Sequence, residues 1–286
     1  MNRQLIPNFL IIGAMKSGTT SLRYTLSCHP EVFMVYPEEP RFFYHDENYR
    51  KGLAWYGSFF EKAKGKKAIG EGSGFYAWKA RNPETIKRIA NTIPDVKIIY
   101  MVRHPIERIA SHWAWEIASG KPLGSIKNAV QEHRYFIEMS MYWEQISAYR
   151  QYFPDHQIKV LFLEDLKSTP YQFYQTCFEF LGVDADFDVS PYLNPQNQTE
   201  GQLSDRDLLI KLRRIVKLQK IKQIVPQNVI NWLRLRLKTQ EKAKPTWSNT
   251  VKRELENIIY DDSMQFLKYC NKPQHFWKFE NQLKIS

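Results

Sequence analysis

A run of small, hydroxylic and basic residues follows the first apolar segment of the chain. It reads Gly13-Ala-Met-Lys16-Ser17-Gly18-Thr19-Thr20-Ser21. Such a loop, placed between a strand and a helix, points backbone N–H groups and a helix N-terminus at one spot, and therefore predicts an anion site. In the triphosphate-loop pattern G-x-x-x-x-G-K-[ST] the lysine would stand at Thr19, whereas here it is Lys16. We therefore expect the loop to bind an anion shorter than a triphosphate, without a metal ion.

A second candidate phosphate-binding segment reads Arg103-His-Pro-Ile-Glu-Arg-Ile-Ala-Ser111. A guanidinium offers paired donors that suit a dianionic phosphate, and a serine hydroxyl in the first turns of a helix adds another. A structural ion pair with Glu107 or Asp95 is the alternative interpretation of Arg103.

Alternating strands and helices must position these groups. Continuous apolar runs predict buried strands over 8–13, 96–102 and 158–163. Helical spacing and a first-turn proline predict helices over 21–28, 83–93, 105–119 and 169–181. The sequence therefore predicts an α/β fold, with a P-loop-like parallel β-sheet flanked by helices and with additional C-terminal helices.

The C-terminal third changes character after a polar loop. Basic amphipathic helices are predicted over 208–221 and 226–237, and a last helix over about 248–270. We expect a single domain over 1–286, with a core of about 7–190 and a helical extension of about 200–286.

The basic charge is concentrated in that extension. Residues 205–244 hold 12 Lys or Arg against 3 Asp or Glu, most of the chain's net charge of +11. One interpretation is a set of helices packed on the domain with a solvated basic face. The other is peripheral contact with an anionic membrane or an acidic polysaccharide, which Trp232 favours. Because aromatic RNA motifs, zinc spacing and a helix-turn-helix are absent from the sequence, we do not expect nucleic-acid binding.

Composition bounds the class of protein. The chain is 43% hydrophobic, yet no run approaches eighteen uninterrupted apolar residues and the opening Met-Asn-Arg-Gln does not resemble a signal peptide, so we expect a cytoplasmic protein. Cys28, Cys177 and Cys270 lie far apart without C-x-x-C spacing, which predicts free thiols rather than disulfides or a zinc site.

The two phosphate motifs resemble those of the sulfotransferases that use 3′-phosphoadenosine-5′-phosphosulfate (PAPS). A strand followed by G-x-x-K-[SG]-G-T-[TS] is similar to their 5′-phosphosulfate loop, and Arg103 with Ser111 looks like their 3′-phosphate segment. The resemblance implies PAPS as co-substrate and no metal. It implies cofactor contacts from Lys16, Ser17, Gly18, Thr19, Thr20, Ser21, Arg103 and Ser111.

The segment between these motifs is similar to the heparan sulfate type of sulfotransferase. In that type a Glu three residues before a Phe-Phe pair is the catalytic base, and a Gly-x-x-Trp-Tyr element follows. Glu39 matches, ahead of Phe42-Phe43 and of Gly52-Leu-Ala-Trp-Tyr56. Glu38 ranks second, and His45 is a further alternative because sulfotransferases for phenols and steroids use a histidine.

The implied reaction is in-line transfer of a sulfuryl group from PAPS to a hydroxyl or amine of an acceptor. Glu39 would accept the proton, and Lys16 would neutralise the charge that develops on the bridging oxygen. The chain has Gly72 where the pattern Glu-Lys-[ST]-Pro carries its lysine. The acceptor therefore stays open between a carbohydrate or glycolipid and a polar small metabolite.

Because the sequence shows no N-terminal membrane anchor of the kind that Golgi members of this family usually carry, we expect a bacterial or otherwise cytosolic member. A small-molecule kinase or another P-loop nucleotide enzyme is the alternative function. Thr19 in the lysine position and the lack of a clear second acidic metal ligand in the sequence speak against it.

Overall fold

The structure is a computed structural model that describes residues 5–193 and 248–280. Its strands are β1 (Phe9–Gly13), β2 (Val32–Met34), β3 (Ala68–Gly72), β4 (Lys97–Val102) and β5 (Ile158–Phe162). They form one sheet in the order β2-β3-β1-β4-β5, and every neighbouring pair is parallel. The predicted α/β fold with a parallel sheet is confirmed.

Helices cover both faces of the sheet. They are α1 (Thr19–Cys28), α2 (Asp46–Arg50), α3 (Gly52–Ser58), α4 (Glu84–Thr92), α5 (Pro105–Ala118), α6 (Ile126–Glu132), α7 (Tyr135–Glu138), α8 (Tyr142–Arg150), α9 (Leu163–Ser168), α10 (Pro170–Leu181) and α11 (Asn249–Tyr269). Because side chains alternate along a strand, Leu10 and Ile12 join the core under α4, α5, α8 and α11, whereas Phe9 and Ile11 join the core under α1 and α10.

The strand β3 was not predicted from the sequence. It reads Ala68-Ile-Gly-Glu-Gly72, which lacks a run of β-forming residues. A Cβ added at Gly70 would lie 2.2 Å from Phe9 Cζ, so the close packing of β1 on β3 requires glycine there. The neighbouring β2 has only three residues and leaves an equally weak signal.

The last helix, predicted over about 248–270, is present as α11, and it packs on the core. Ser248 Oγ caps α11 by accepting from the N–H of Val251 at 3.3 Å. The carboxylate of Asp262 on α11 accepts from the N–H groups of Trp143 and Glu144, in the first turn of α8, at 3.0 and 2.8 Å. This contact satisfies N–H groups that have no partner within α8, and it joins the two helices.

The basic segment 205–244 and the helices predicted over 208–221 and 226–237 lie outside the described residues. The division into core and extension therefore stays a prediction. In residues 5–193 and 248–280, no helix combines the length and the apolar composition that crossing a bilayer requires. Cys28, Cys177 and Cys270 are free thiols, as predicted.

Candidate active site

The loop between β1 and α1 lies at the carboxyl end of the sheet. The N–H of Ala14 donates to the carbonyl oxygen of Met101 at 2.6 Å, which joins the loop to β4. Gly18, the N-cap of α1, has φ 90°, and a Cβ there would lie 2.9 Å from side-chain atoms of Met101 and Leu163. The loop is therefore packed tightly and leads directly into the N-terminus of α1, the end of a helix that attracts an anion.

Arg103 follows β4 and reaches this phosphate loop. Its Nη1 donates to the carbonyl oxygen of Lys16 at 3.3 Å, and its Nη2 pairs with Glu107 at 2.5 Å. The ion pair between Arg103 and Glu107, which the sequence suggested as an alternative role for Arg103, is therefore present together with the contact to the loop. The buried Nε of Arg103 has no hydrogen-bond partner among the described residues.

Helix α5 presents a face to the same loop. Ser111 and Trp115 are four residues apart and lie on one side of α5. Lys16 Nζ lies 5.6 Å from the centroid of the Trp115 ring, within the range of a cation–π contact. The structure therefore places Lys16, Arg103 and the Ser111 face of α5 at one end of the sheet. Because Trp115 follows Ser111 by four residues on a predicted helix, the sequence could have indicated that this tryptophan lies on the same face as Ser111, near the loop.

Glu39 is held between two arginines. Arg23 Nη1 lies 2.9 Å from Glu39 Oε1, and Arg41 Nε lies 3.2 Å from Glu39 Oε2. The side chain of Glu39 is 28% exposed, whereas neighbouring Glu38 is exposed and meets Arg23 through its backbone carbonyl. Because a carboxylate has about four lone-pair sites, these two contacts leave Glu39 able to accept a further hydrogen bond.

Aromatic packing fixes the segment that follows Glu39. Phe42 stacks on Tyr56 with ring centroids 4.3 Å apart and planes 8° apart. Phe43 packs edge-on against Tyr56 and Tyr76, with centroids 5.3 and 5.9 Å apart. The Phe-Phe pair and the Trp-Tyr element thus pack together behind the carboxylate. His45, the alternative base, is an exposed residue immediately before α2.

Glu71 is a residue of this region to which the sequence assigned no role. It lies on β3 with no solvent exposure, and its Oε1 accepts from the hydroxyls of Tyr56 and Tyr76 at 3.0 and 2.6 Å. Its Oε2 has no hydrogen-bond partner within the described part of the chain. Burial raises the pKa of Glu71 to about 7, although both tyrosines and Arg23 favour the charged form.

The buried carboxyl group of Glu71 makes stability depend on pH. Because the pKa of Glu71 is about 7 in the fold against an ordinary 4.5, the folded state loses stability as the pH rises from 4.5 through 7, and the loss is complete above 7. We expect Glu71→Gln to remove this loss and to raise the free energy of unfolding at pH 8.5 by roughly 3 kcal/mol relative to the wild type.

Urea unfolding at pH 4.5 and pH 8.5 measures this difference. The matched control is Glu61→Gln, which changes an exposed carboxylate and should leave the pH profile of stability unchanged. An equal gain from Glu71→Gln at both pH values would show that Glu71 is ionised in the fold throughout this range.

A parallel sheet with a phosphate loop after its first strand defines an α/β protein of the phosphate-loop class. Within this class, residues 7–268 match the family described as Sulfotransferase domain. The chain belongs to the sulfotransferase family.

Several known proteins are similar to it. The chain is 36% identical over 115 residues to the membrane-associated sulfotransferase kil1 of Dictyostelium discoideum, which covers 39% of this chain and 23% of that protein. It is 29% identical over 189 residues to the human heparan sulfate glucosamine 3-O-sulfotransferase 6, covering 63% of this chain and 54% of that protein. The chain thus spans about a quarter to about half of the length of these relatives.

A solved structure shares the fold. The crystal structure of a sulfotransferase from Alicyclobacillus acidocaldarius is similar with a TM-score of 0.67 at 22% identity. The similarity covers 96% of this chain and 99% of that one. At this identity the similarity shows the fold alone.

Proposed function

We propose that the protein transfers the sulfuryl group of PAPS to a hydroxyl or amine of an acceptor. The observation that carries this proposal is the hydrogen bond from Arg103 to the carbonyl oxygen of Lys16. PAPS bears anionic groups at the 3′ and 5′ positions of one nucleoside, so it needs two anion-binding segments close together. In the sheet, β2 and β3 lie on one side of β1, and β4 and β5 lie on the other. Ligands of such sheets bind at the carboxyl ends of the two strands between which this change of side occurs, here β1 and β4, and both anion-binding segments follow these strands.

Membership of the sulfotransferase family supports PAPS as the co-substrate. The loop amides with Lys16, Ser17, Gly18, Thr19, Thr20 and Ser21 would hold the 5′-phosphosulfate. Arg103 and Ser111 would hold the 3′-phosphate, because a guanidinium beside the loop offers donors that suit a dianion. That the reaction needs no metal stays a prediction.

The reaction proceeds by in-line displacement at sulfur. The acceptor oxygen or nitrogen forms a bond to sulfur while the bond from sulfur to the 5′-phosphate oxygen breaks, which releases adenosine 3′,5′-bisphosphate. Glu39 accepts the proton of the nucleophile. The ammonium group of Lys16 stabilises the negative charge that grows on the leaving oxygen.

The acceptor we propose is a carbohydrate, a glycolipid or a polar small metabolite. The name of one relative states that it acts on heparan sulfate glucosamine, which makes a carbohydrate or glycolipid the first class to test and a polar small metabolite the second. A cytoplasmic location and a contact of 205–244 with an anionic membrane or polysaccharide stay predictions.

Two measurements test the proposed function. Adenosine 3′,5′-bisphosphate at 100 times its Kd should stabilise the protein by about 2.7 kcal/mol in the absence of magnesium, read as a rise in Tm. Incubation with PAPS labelled in its sulfuryl group and with pools of saccharides or metabolites should then transfer the label to an acceptor. Stabilisation by ATP with Mg²⁺ but not by adenosine 3′,5′-bisphosphate would replace this proposal with a small-molecule kinase.

A further inference from the structure

The guanidinium of Arg23 donates to four residues of the segment 35–39, which ends at Glu39. Its Nη2 donates to the backbone carbonyls of Val35 and Pro37 at 3.0 and 3.4 Å, and also to that of Glu38. Its Nη1 donates to Glu39 Oε1 at 2.9 Å. One planar group therefore fixes both the backbone of this segment and the carboxylate at its end.

This arginine is buried, with a side chain only 5% exposed. A buried cation is costly unless it is paired and hydrogen-bonded, and Glu39 is the carboxylate that forms an ion pair with it. The stem of Arg23 also passes close to β3, since a Cβ added at Gly72 would lie 3.3 Å from Arg23 Cδ. Its path is therefore enclosed, which restricts the guanidinium to this position.

Arg23 lies on α1, the helix whose first residue, Thr19, ends the phosphate loop. We propose that Arg23 is a positioning residue of the transfer reaction, which holds the base Glu39 in a fixed relation to the loop that contains Lys16. This proposal rests on the proposed function, because it takes Glu39 as the base. Because α1 begins at the end of the loop and carries Arg23, the side chain of Arg23 fixes the carboxylate of Glu39 relative to the loop.

The second arginine on Glu39 differs in its setting. Arg41 is 32% exposed on its side chain and lies over the ring of Phe75, with 5.0 Å between its guanidinium carbon and the ring centroid. It contacts Glu39 Oε2, the oxygen that Arg23 leaves unoccupied. Arg23 thus forms the buried attachment of the base, and Arg41 lies on its solvent side.

The experiment is a double-mutant cycle of R23Q and E39Q. Since a base displaced by about 1 Å can lose on the order of 10²-fold in rate, we expect R23Q alone to lower kcat by about 10- to 100-fold. Its KM for PAPS and its Kd for adenosine 3′,5′-bisphosphate should stay within about twofold of the wild type. In the E39Q background, R23Q should lower kcat by less than about threefold, because the group that it positions is gone.

R88Q is the matched control. Arg88 also fixes this region from a helix, by donating to the carbonyl oxygen of Phe43 at 3.2 Å and pairing with Asp46 at 2.6 Å, but it does not contact Glu39. Its effect on kcat should stay within about twofold in both backgrounds. R23K keeps the charge and most of the volume, and it replaces R23Q in the cycle if that variant does not fold.

Hydrogen exchange decides the question independently of turnover. Deuterium uptake by peptides that cover 35–41 should rise in R23Q and stay unchanged in R88Q. Equal losses of kcat from R23Q with and without Glu39, or unchanged uptake over 35–41, would overturn the proposal. If the wild type transfers no sulfuryl group, the proposed function fails, and the exchange measurement alone decides whether Arg23 holds this segment.

Discussion

Lys16→Ala should lower kcat for sulfuryl transfer by about 10²- to 10³-fold, the range found when one preorganised charge-stabilising donor is removed. Lys16 is the cation of the loop, and its carbonyl oxygen contacts the guanidinium of Arg103. If Lys16 has the proposed role, its ammonium would stabilise the leaving oxygen in the transition state more than in the bound substrate, so the larger effect should be on kcat rather than on KM for PAPS. Initial rates with labelled PAPS at saturating acceptor measure both constants.

Lys64→Ala is the matched control for this change. Lys64 is exposed and lies before the first residue of β3, at the opposite end of the sheet from the phosphate loop. It removes the same charge from a surface position and should leave kcat within about twofold of the wild type. Similar losses in both variants would indicate a general effect of net charge, and an active Lys16→Ala would exclude Lys16 from the transition state.

The core of the fold was accessible from the sequence because its signals are local. The strands β1, β4 and β5 are continuous apolar runs, and a proline at the first position of α5 and of α10 marks where each helix begins. The structure reproduces these elements to within one or two residues at each end. Their order alone placed the phosphate loop and Arg103 at the same end of a parallel sheet.

The strand β3 was not accessible in the same way. Its glycines are explained by a partner on another strand, since Gly70 accommodates the ring of Phe9, and its buried Glu71 is tolerated because two tyrosine hydroxyls donate to it. None of these partners is adjacent in sequence. A strand that depends on tertiary contacts leaves little local pattern.

The same distinction applies to the candidate site. Lys16, Arg103 and Glu39 belong to motifs of residue type and spacing, which can be recognised before the fold is known. Arg23 has no such motif, because its four acceptors lie 12 to 16 residues away and come together only when the segment after β2 folds over α1. Residues that position a reacting group are therefore harder to find from sequence than the reacting group itself.

Glu39→Gln should lower kcat by about 10²- to 10⁴-fold, the contribution expected of a general base. An amide cannot accept the proton of the nucleophile, but its carbonyl oxygen can still accept from Arg23 or Arg41, so the local packing should persist. Binding of adenosine 3′,5′-bisphosphate, measured by calorimetry, should therefore stay within about twofold of the wild type.

Glu38→Gln and His45→Asn separate Glu39 from the other candidate bases. Glu38 is exposed and contacts Arg23 only through its backbone carbonyl, which the substitution retains, and His45 is exposed ahead of α2. Both variants should keep kcat within about threefold of the wild type. Wild-type turnover in Glu39→Gln would remove Glu39 as the base, and a large loss in His45→Asn alone would transfer that role to the histidine. Since Arg23 pairs with Glu39 and not with His45, that second outcome would also leave Arg23 without a base to position.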